Sequence, residues 1–150
     1  MRREDKEITD RQEIDEIISS CITCRIAMCN DDTPYIVTVN YGYEDNSLFI
    51  HCATEGKKLD MIRRNNHVCF EMETDCELKR SPVLGEWSMK YRSVIGWGRA
   101  TIIEDSEAKI QALNVLMRHH KGPEGPYPQK IVDKVAIIRI DIDSLTGKKS

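Results

Sequence analysis

A glycine followed by two lysines, Gly56-Lys57-Lys58, is the tripeptide in this sequence best suited to holding an anion. It closes a polar turn over 53–56 and opens a helix expected over 57–64, whose Leu59, Met61 and Ile62 read as its buried side. The first N–H groups of a helix lack intrahelical acceptors and sit at the positive end of the helix dipole. A phosphate there would meet backbone donors and two mobile ammonium groups. From Glu55 to Arg64 four basic residues stand against two acidic ones, a local charge of +2 in a chain of net charge −3. A solvated surface helix, its lysines touching only water, is the other use of the same residues. Just upstream, His51 ends an expected strand. An imidazole of ordinary pKa, near 6.5, can give or take a proton at neutral pH, and a histidine there equally suits a polar cap on the strand end.

Six cysteines are the other reactive groups. Cys21 and Cys24 form a C-x-x-C, but no second close pair of ligands exists to complete a zinc site, and no metal is expected. Met1 to Lys6 is charged and no apolar core of a signal peptide follows, so a cytoplasmic protein with structural thiols is expected rather than a disulfide framework. Cys24 and Cys29 flank the apolar run CRIAMC, where small buried thiols are common. His119 and His120 are adjacent on an expected helix, point about 100° apart and are read as surface residues. With 40% hydrophobic and 31% charged residues and no apolar run near 20 residues, the 150-residue chain reads as one globular domain, residues 1–150, that does not span a membrane. The acidic balance argues against nucleic acid as a partner.

Around the lysine turn the elements fall in order. The first eight residues are expected to form an arm. Asp10, with Glu13 three residues on, suggests a capping box opening a helix over 11–20 with Ile14, Ile17 and Ile18 on one face. Strands over 25–29, 35–43 and 47–52, joined by the turn clusters at Asn30–Pro34 and Glu44-Asp45-Asn46, predict a three-stranded meander. A fourth strand covers 68–72, and 75–85 reads as an irregular excursion. A strand over 91–103 carries Gly96 and Gly98, spaced for a bend or a close backbone approach. A helix over 106–120 would bury Ile110, Leu113, Leu116 and Met117, and Gly122-Pro123 ends it. After a short segment at 129–132, the last strand over 135–142 has one wholly apolar face of Ala136, Ile138, Ile140 and Ile142. The sum is a mainly β protein with helices: a six-stranded antiparallel split β-barrel with Greek-key connections and peripheral helices.

Four blocks, PYIVTVNYGY at 34–43, HCATEGKK at 51–58, RNNHVCF at 64–70 and WSMKYRSVIG at 87–96, resemble the FMN-binding split-barrel flavoproteins, the superfamily of pyridoxamine 5'-phosphate oxidase, and within it the nitroimidazole-resistance group. The resemblance spans nearly the whole chain. It implies a homodimer with two FMN molecules at the subunit interface. Val37, Thr38, Val39 and Asn40 would line the flavin edge with backbone groups, His51, Cys52 and Ala53 would continue that wall, and Lys57 and Lys58 would hold the phosphate. Arg92 and Ser93 would approach the cofactor, from the second subunit in the family's arrangement. The chain departs from pyridoxamine phosphate oxidase itself. It has Val37 to Asn40 where that enzyme has basic residues, and a tail of lysines in place of an arginine-rich segment, so the vitamin reaction does not carry over. The implied activity is reduction of small aromatic acceptors such as nitroimidazole-type compounds, with NAD(P)H or another electron donor and His51 as the proton-handling group. A non-catalytic flavin- or haem-binding protein, used for storage or sensing, is the alternative. Because the flavin carries the redox chemistry, no catalytic triad is needed, and no G-x-G-x-x-G dinucleotide fingerprint is present. Trp87 and Trp97 are expected in the core, with stacking on flavin as their other use.

Overall fold

The computed structural model describes residues 3–150. All strands belong to one antiparallel sheet of eight. Six are long: β2 (Thr23–Asn30), β3 (Thr33–Asn40), β5 (Ser47–Ala53), β6 (His67–Lys79), β7 (Ser88–Ile103) and β8 (Val135–Lys149). Two are short: β1 (Glu7–Ile8) and β4 (Gly42–Glu44). Helices α1 (Arg11–Ser20), α2 (Lys57–Arg64), α3 (Ser106–His119) and α4 (Gln129–Val132) lie between them. The strand order is β3-β2-β6-β7-β8-β5-β4, with β1 paired to β8.

The expected meander is not formed. The run 35–43 breaks at Tyr41 into β3, which pairs with β2, and β4, which pairs with β5. The two edges of the sheet are therefore consecutive pieces of one chain segment, and a one-residue link draws them together and curls the sheet into a barrel. Tyr41 marks this seam. It is fully buried, and its hydroxyl donates to the Ile18 carbonyl oxygen of α1 and lies 3.1 Å from Met72 Sδ. An internal aromatic with a satisfied hydroxyl holds the joint, where an unbroken strand would leave the sheet flat.

Both tight hairpins carry two successive residues at positive φ, Asp31-Asp32 and Asp45-Asn46, the geometry that matches the twist of the flanking strands. The region 75–85 is more regular than its composition suggests. β6 continues to Lys79 against β7, with a register shift between Thr74 and Glu77 and Asp75 at φ 57°. Its residues are polar because this hairpin runs beyond the core and both of its faces are wet. β8 extends seven residues past Ile142 because β7 goes on pairing with it as far as Lys149, and β1 pairs with its other edge at Gly147 and Lys148. The first residues are likewise tied down: Glu4–Lys6 form a 3-10 turn and Glu7–Ile8 pair with Lys148 and Gly147, while Met1 and Arg2 lie outside the described residues.

The core fills the barrel with Ile26, Met28, Leu48, Ile50, Phe70, Met72, Val94, Ile138 and Ile140, closed at one end by Ile14, Ile17 and Ile18 of α1. Asp10 caps α1 by accepting from Gln12 N–H at 2.9 Å. Glu13 does not complete the box; its carboxylate reaches Lys149 at 2.9 Å instead. The glycine pair on β7 is a place of close approach. A Cβ on Gly96 would sit 2.1 Å from the Phe70 ring, and one on Gly98 would sit 2.3 Å from the Asp141 carbonyl oxygen. α3 packs outside the barrel on β4 and β5, with the Val115–Leu116 backbone 2.7–2.8 Å from where a Gly42 Cβ would stand. That contact turns Ala112, Val115 and Leu116 inward and leaves Ile110, Leu113 and Met117 only half-buried, a rotation from the expected stripe.

Candidate functional site

α2 has the bounds its sequence implies, and Leu59, Met61 and Ile62 anchor it in the core. Its N-cap is Gly56 at φ 130°, a conformation that favours glycine, and no side chain caps the helix. The first N–H groups of α2 are thus free to meet an external acceptor. Lys57 and Lys58 make no ion pair among the described residues; Asp60, the acidic residue of the first turn, is 3.3 Å from Arg63. Lys57 Nζ instead lies 4.4 Å from the centroid of the Tyr35 ring.

The helix start opens on a groove of about 220 Å³ lined by Tyr35 and Val37 of β3, Cys52 and Ala53 of β5, Glu55, and the two lysines. β3 is an edge strand with β2 as its one ladder partner among the described residues, so its second edge offers backbone N–H and C=O groups that no described strand pairs. A flat ligand with a phosphate tail therefore meets hydrogen-bonding backbone along one side and cations at its end. Of the candidate residues on β3, Val37 lines the groove and Val39 packs on the core, whereas the side chains of Thr38 and Asn40 point outward. The alternation of β5 separates His51 from Cys52. The imidazole stands on the outer face, outside the groove lining, where burial, then Lys58, then His120 hold its pKa below the ordinary value. Burial raises the Cys52 thiol and Lys58 opposes that rise.

Arg92 and Ser93 are not brought to this groove within one chain, because β2 and β6 intervene between β3 and β7. Arg92 is bound to Asp75 at 2.6 Å and lies 3.9 Å from Glu13. Ser93 borders a separate depression of about 270 Å³ with Ile95, Thr146 and Lys148. Neither tryptophan is in the core. Trp87, on the protruding hairpin, is 55% exposed, and Trp97, on the outer face of β7, is 46% exposed. Both lie where the sheet has an outside, which the period of a strand does not reveal. Tyr35 and Glu55 are the lining residues that sequence reasoning passed over, and only the fold puts β3 beside the lysine turn.

The other thiols differ in depth, with Cys29 and Cys76 exposed. Cys21 and Cys24 are buried free thiols, and burial pushes Cys24 up to about 12. No group of three or more His, Cys, Asp or Glu side chains able to hold a metal is found among the described residues. His119, expected at the surface, is half-buried. Its ring is 4.7 Å from that of Tyr41 and its Nε2 is 2.9 Å from the Cys21 carbonyl oxygen, because α3 folds its last turn against the seam. No described helix is long and apolar enough to cross a membrane.

A family model described as pyridoxamine 5'-phosphate oxidase matches residues 10–149. The chain belongs to the pyridoxamine 5'-phosphate oxidase family. Among solved structures it is similar to a candidate 5-nitroimidazole antibiotic resistance protein of Bacteroides thetaiotaomicron, at 33% identity and a TM-score of 0.85 over 95% of this chain and 86% of that one. A FAD and haem binding protein of Mycobacterium smegmatis shares the fold, with 19% identity and a TM-score of 0.86 over 97% of this chain and 73% of the other. An uncharacterised protein of Rhizobium meliloti is 24% identical over 94% of this chain and 93% of its own length. The antiparallel barrel with outlying helices is thus the fold this chain shares with the two solved structures.

Proposed function

We propose that this family member is an FMN-binding homodimer in the cytoplasm that reduces small aromatic acceptors, nitroimidazole-type compounds among them, with electrons from NAD(P)H or another donor. The observation that carries the reading is the start of α2, which no side chain caps and whose Lys57 and Lys58 form no ion pair among the described residues, opening on a groove whose far wall is an edge strand. FMN, when bound, supplies the redox chemistry. Lys57, Lys58 and the first N–H groups of α2 hold its phosphate, and the β3 edge from Val37 to Asn40, with Cys52 and Ala53, orients the flat ring. His51, on the outer face of β5 beside Lys58 and outside the groove lining, is assigned the transfer of a proton to an acceptor that reaches over that face; its lowered pKa makes the imidazolium form, the one that donates, the readier acid. Arg92 and Ser93 are assigned to the site of a second copy. The exposed Ile36, Ile95 and Trp97 on the barrel wall give that copy apolar surface to cover.

The test is the visible spectrum of the purified protein, followed by release of the ligand by heat, light-scattering mass, and NAD(P)H oxidation with a nitroaromatic acceptor. Oxidised-flavin bands with FMN in the supernatant, a dimer mass, and turnover that falls in His51→Gln without a change in FMN affinity are the expected results. Bound flavin that no donor reduces would make this a binding module, and a Soret band would make haem its ligand. A colourless protein that refuses FMN would sink the cofactor assignment.

A further inference from the structure

Lys57 has a choice of partners, and the structure shows which one it takes. Its side chain lines both the groove beside β3 and a second, larger cleft of about 410 Å³, whose lining carries the carboxylates of Asp31 and Asp60. Asp60 lies three residues on, a spacing at which lysine and aspartate side chains are neighbours on a helix surface. That pair is not formed. Asp60 lies 3.3 Å from Arg63, and the Lys57 ammonium lies 4.4 Å from the centroid of the Tyr35 ring. Among the described residues no carboxylate lies within ion-pair distance of Lys57.

The two sides of this contact differ in freedom. Tyr35 is half-buried and packs on the core with Val37 and Val39, so neighbours fix its ring, whereas Lys57 is exposed on a long flexible stem. The face of an aromatic ring carries the negative part of its quadrupole and attracts an ammonium group. A cation in the first turn of a helix is repelled by the positive end of the dipole, so an empty groove gives Lys57 nothing else to stay for. Without the ring, the pull of Asp31 and Asp60 draws the ammonium into the cleft, away from the helix start. With the ring it stays on the groove side, and it keeps part of that contact when it turns to an anion there.

We propose that Tyr35 is a positioning residue that holds Lys57 on the groove side, away from Asp31 and Asp60, for the phosphate of the flavin. The inference rests on the FMN reading above and adds to it the residue that decides where one of the two cations stands. Titrations of FMN and riboflavin, followed by fluorescence quenching, test it. Tyr35→Leu should weaken FMN about threefold, the worth of one exposed ring contact, and leave riboflavin affinity as in wild type, which also shows that the variant is folded. Tyr35→Phe keeps the ring and should bind FMN as wild type does. In a Lys57→Ala background Tyr35→Leu should have no further effect on FMN. Asp60→Asn should recover more FMN affinity in Tyr35→Leu than it adds to wild type, because the competing carboxylate is then gone. An unchanged FMN affinity in Tyr35→Leu, an equal loss for riboflavin, a loss in Tyr35→Phe as large as in Tyr35→Leu, or a full effect without Lys57 would each overturn the proposal. The NMR signal of the Lys57 ε-methylene reads the placement without any flavin: the ring should shift it upfield in wild type and not in Tyr35→Leu. If the protein binds neither flavin, the FMN reading fails by itself. A Tyr35-dependent shift in that case would support the hold on Lys57, and an unshifted signal would overturn it.

Discussion

Replacing Lys57 and Lys58 together by alanine removes both cations at the start of α2 while leaving its backbone N–H groups and its buried face, Leu59 and Ile62, in place. A hydrogen bond to a charged partner is worth about 1.5–3 kcal/mol. Lys57 is exposed and Lys58 only partly buried, so water screens both and the lower end applies, about 1.5 kcal/mol each. Lys57 must also give up part of its contact with the Tyr35 ring to reach a phosphate, which makes Lys58→Ala the larger single effect. The double variant should bind FMN roughly 100-fold more weakly than wild type, since about 1.4 kcal/mol is tenfold. Flavin fluorescence quenching measures this, with riboflavin titrated in parallel. Riboflavin has the ring without the phosphate, so its affinity should hardly change and the wild-type preference for FMN should largely disappear. The wild-type FMN affinity should also drop with added salt more steeply than that of the double variant. Equal wild-type affinity for riboflavin and FMN, or a double variant that loses both alike, would refute the reasoning.

Three further outcomes follow from the packing and the titrating groups. Gly96→Ala puts a methyl group 2.1 Å from the ring of fully buried Phe70; it should destabilise by about 1–3 kcal/mol and lower the melting temperature by several degrees, and an unchanged melt would contradict the packing. Burial holds the His119 pKa below 6.5 despite its contact with the Cys21 carbonyl, so the unfolded chain binds the proton more readily than the folded one. Stability is then complete above pH 6.5 and declines as pH falls through the folded pKa; urea melts of His119→Gln should decline less over the same range than wild type. Ellman's reagent should label exposed Cys29 and Cys76 quickly and half-buried Cys52 and Cys69 more slowly, whereas Cys21 and Cys24 should react only on unfolding; labelling of five or more thiols in the native protein would contradict their placement.

What could be read from residues alone was local. The bounds of α2 follow from Gly56, the lysines and the Leu59, Met61 and Ile62 stripe, which are neighbours in sequence and need no partner to declare a helix. The inward face of β8 was legible for the same reason, as strict alternation writes one buried side, and Ala136, Ile138, Ile140 and Ile142 are all buried. The glycine pair at 96 and 98 announced a close approach without saying to what. Family resemblance supplied the assignment of residues to a flavin, which spacing does not contain.

The tertiary structure decided everything that depends on which strand lies beside which. A run of β-formers from Tyr35 to Tyr43 does not disclose that it breaks at Tyr41 and serves both edges of a barrel, because each half has the same period and only ladder partners distant in sequence tell them apart. The extension of β6 past Thr74 was hidden by polar residues, since a hairpin with two wet faces has no alternation to show. The separation of His51 from the groove, the distance of Arg92 and Ser93 from it, and the exposure of Trp87 and Trp97 have the same origin: each depends on a face, and a face exists only once a neighbour covers the other side. The sequence by itself determined the glycine-lysine helix start and the β character of the chain. The closing of the sheet decided that this helix start would look along a free strand edge, because only closure brings β3, seventeen or more residues earlier, beside Lys57.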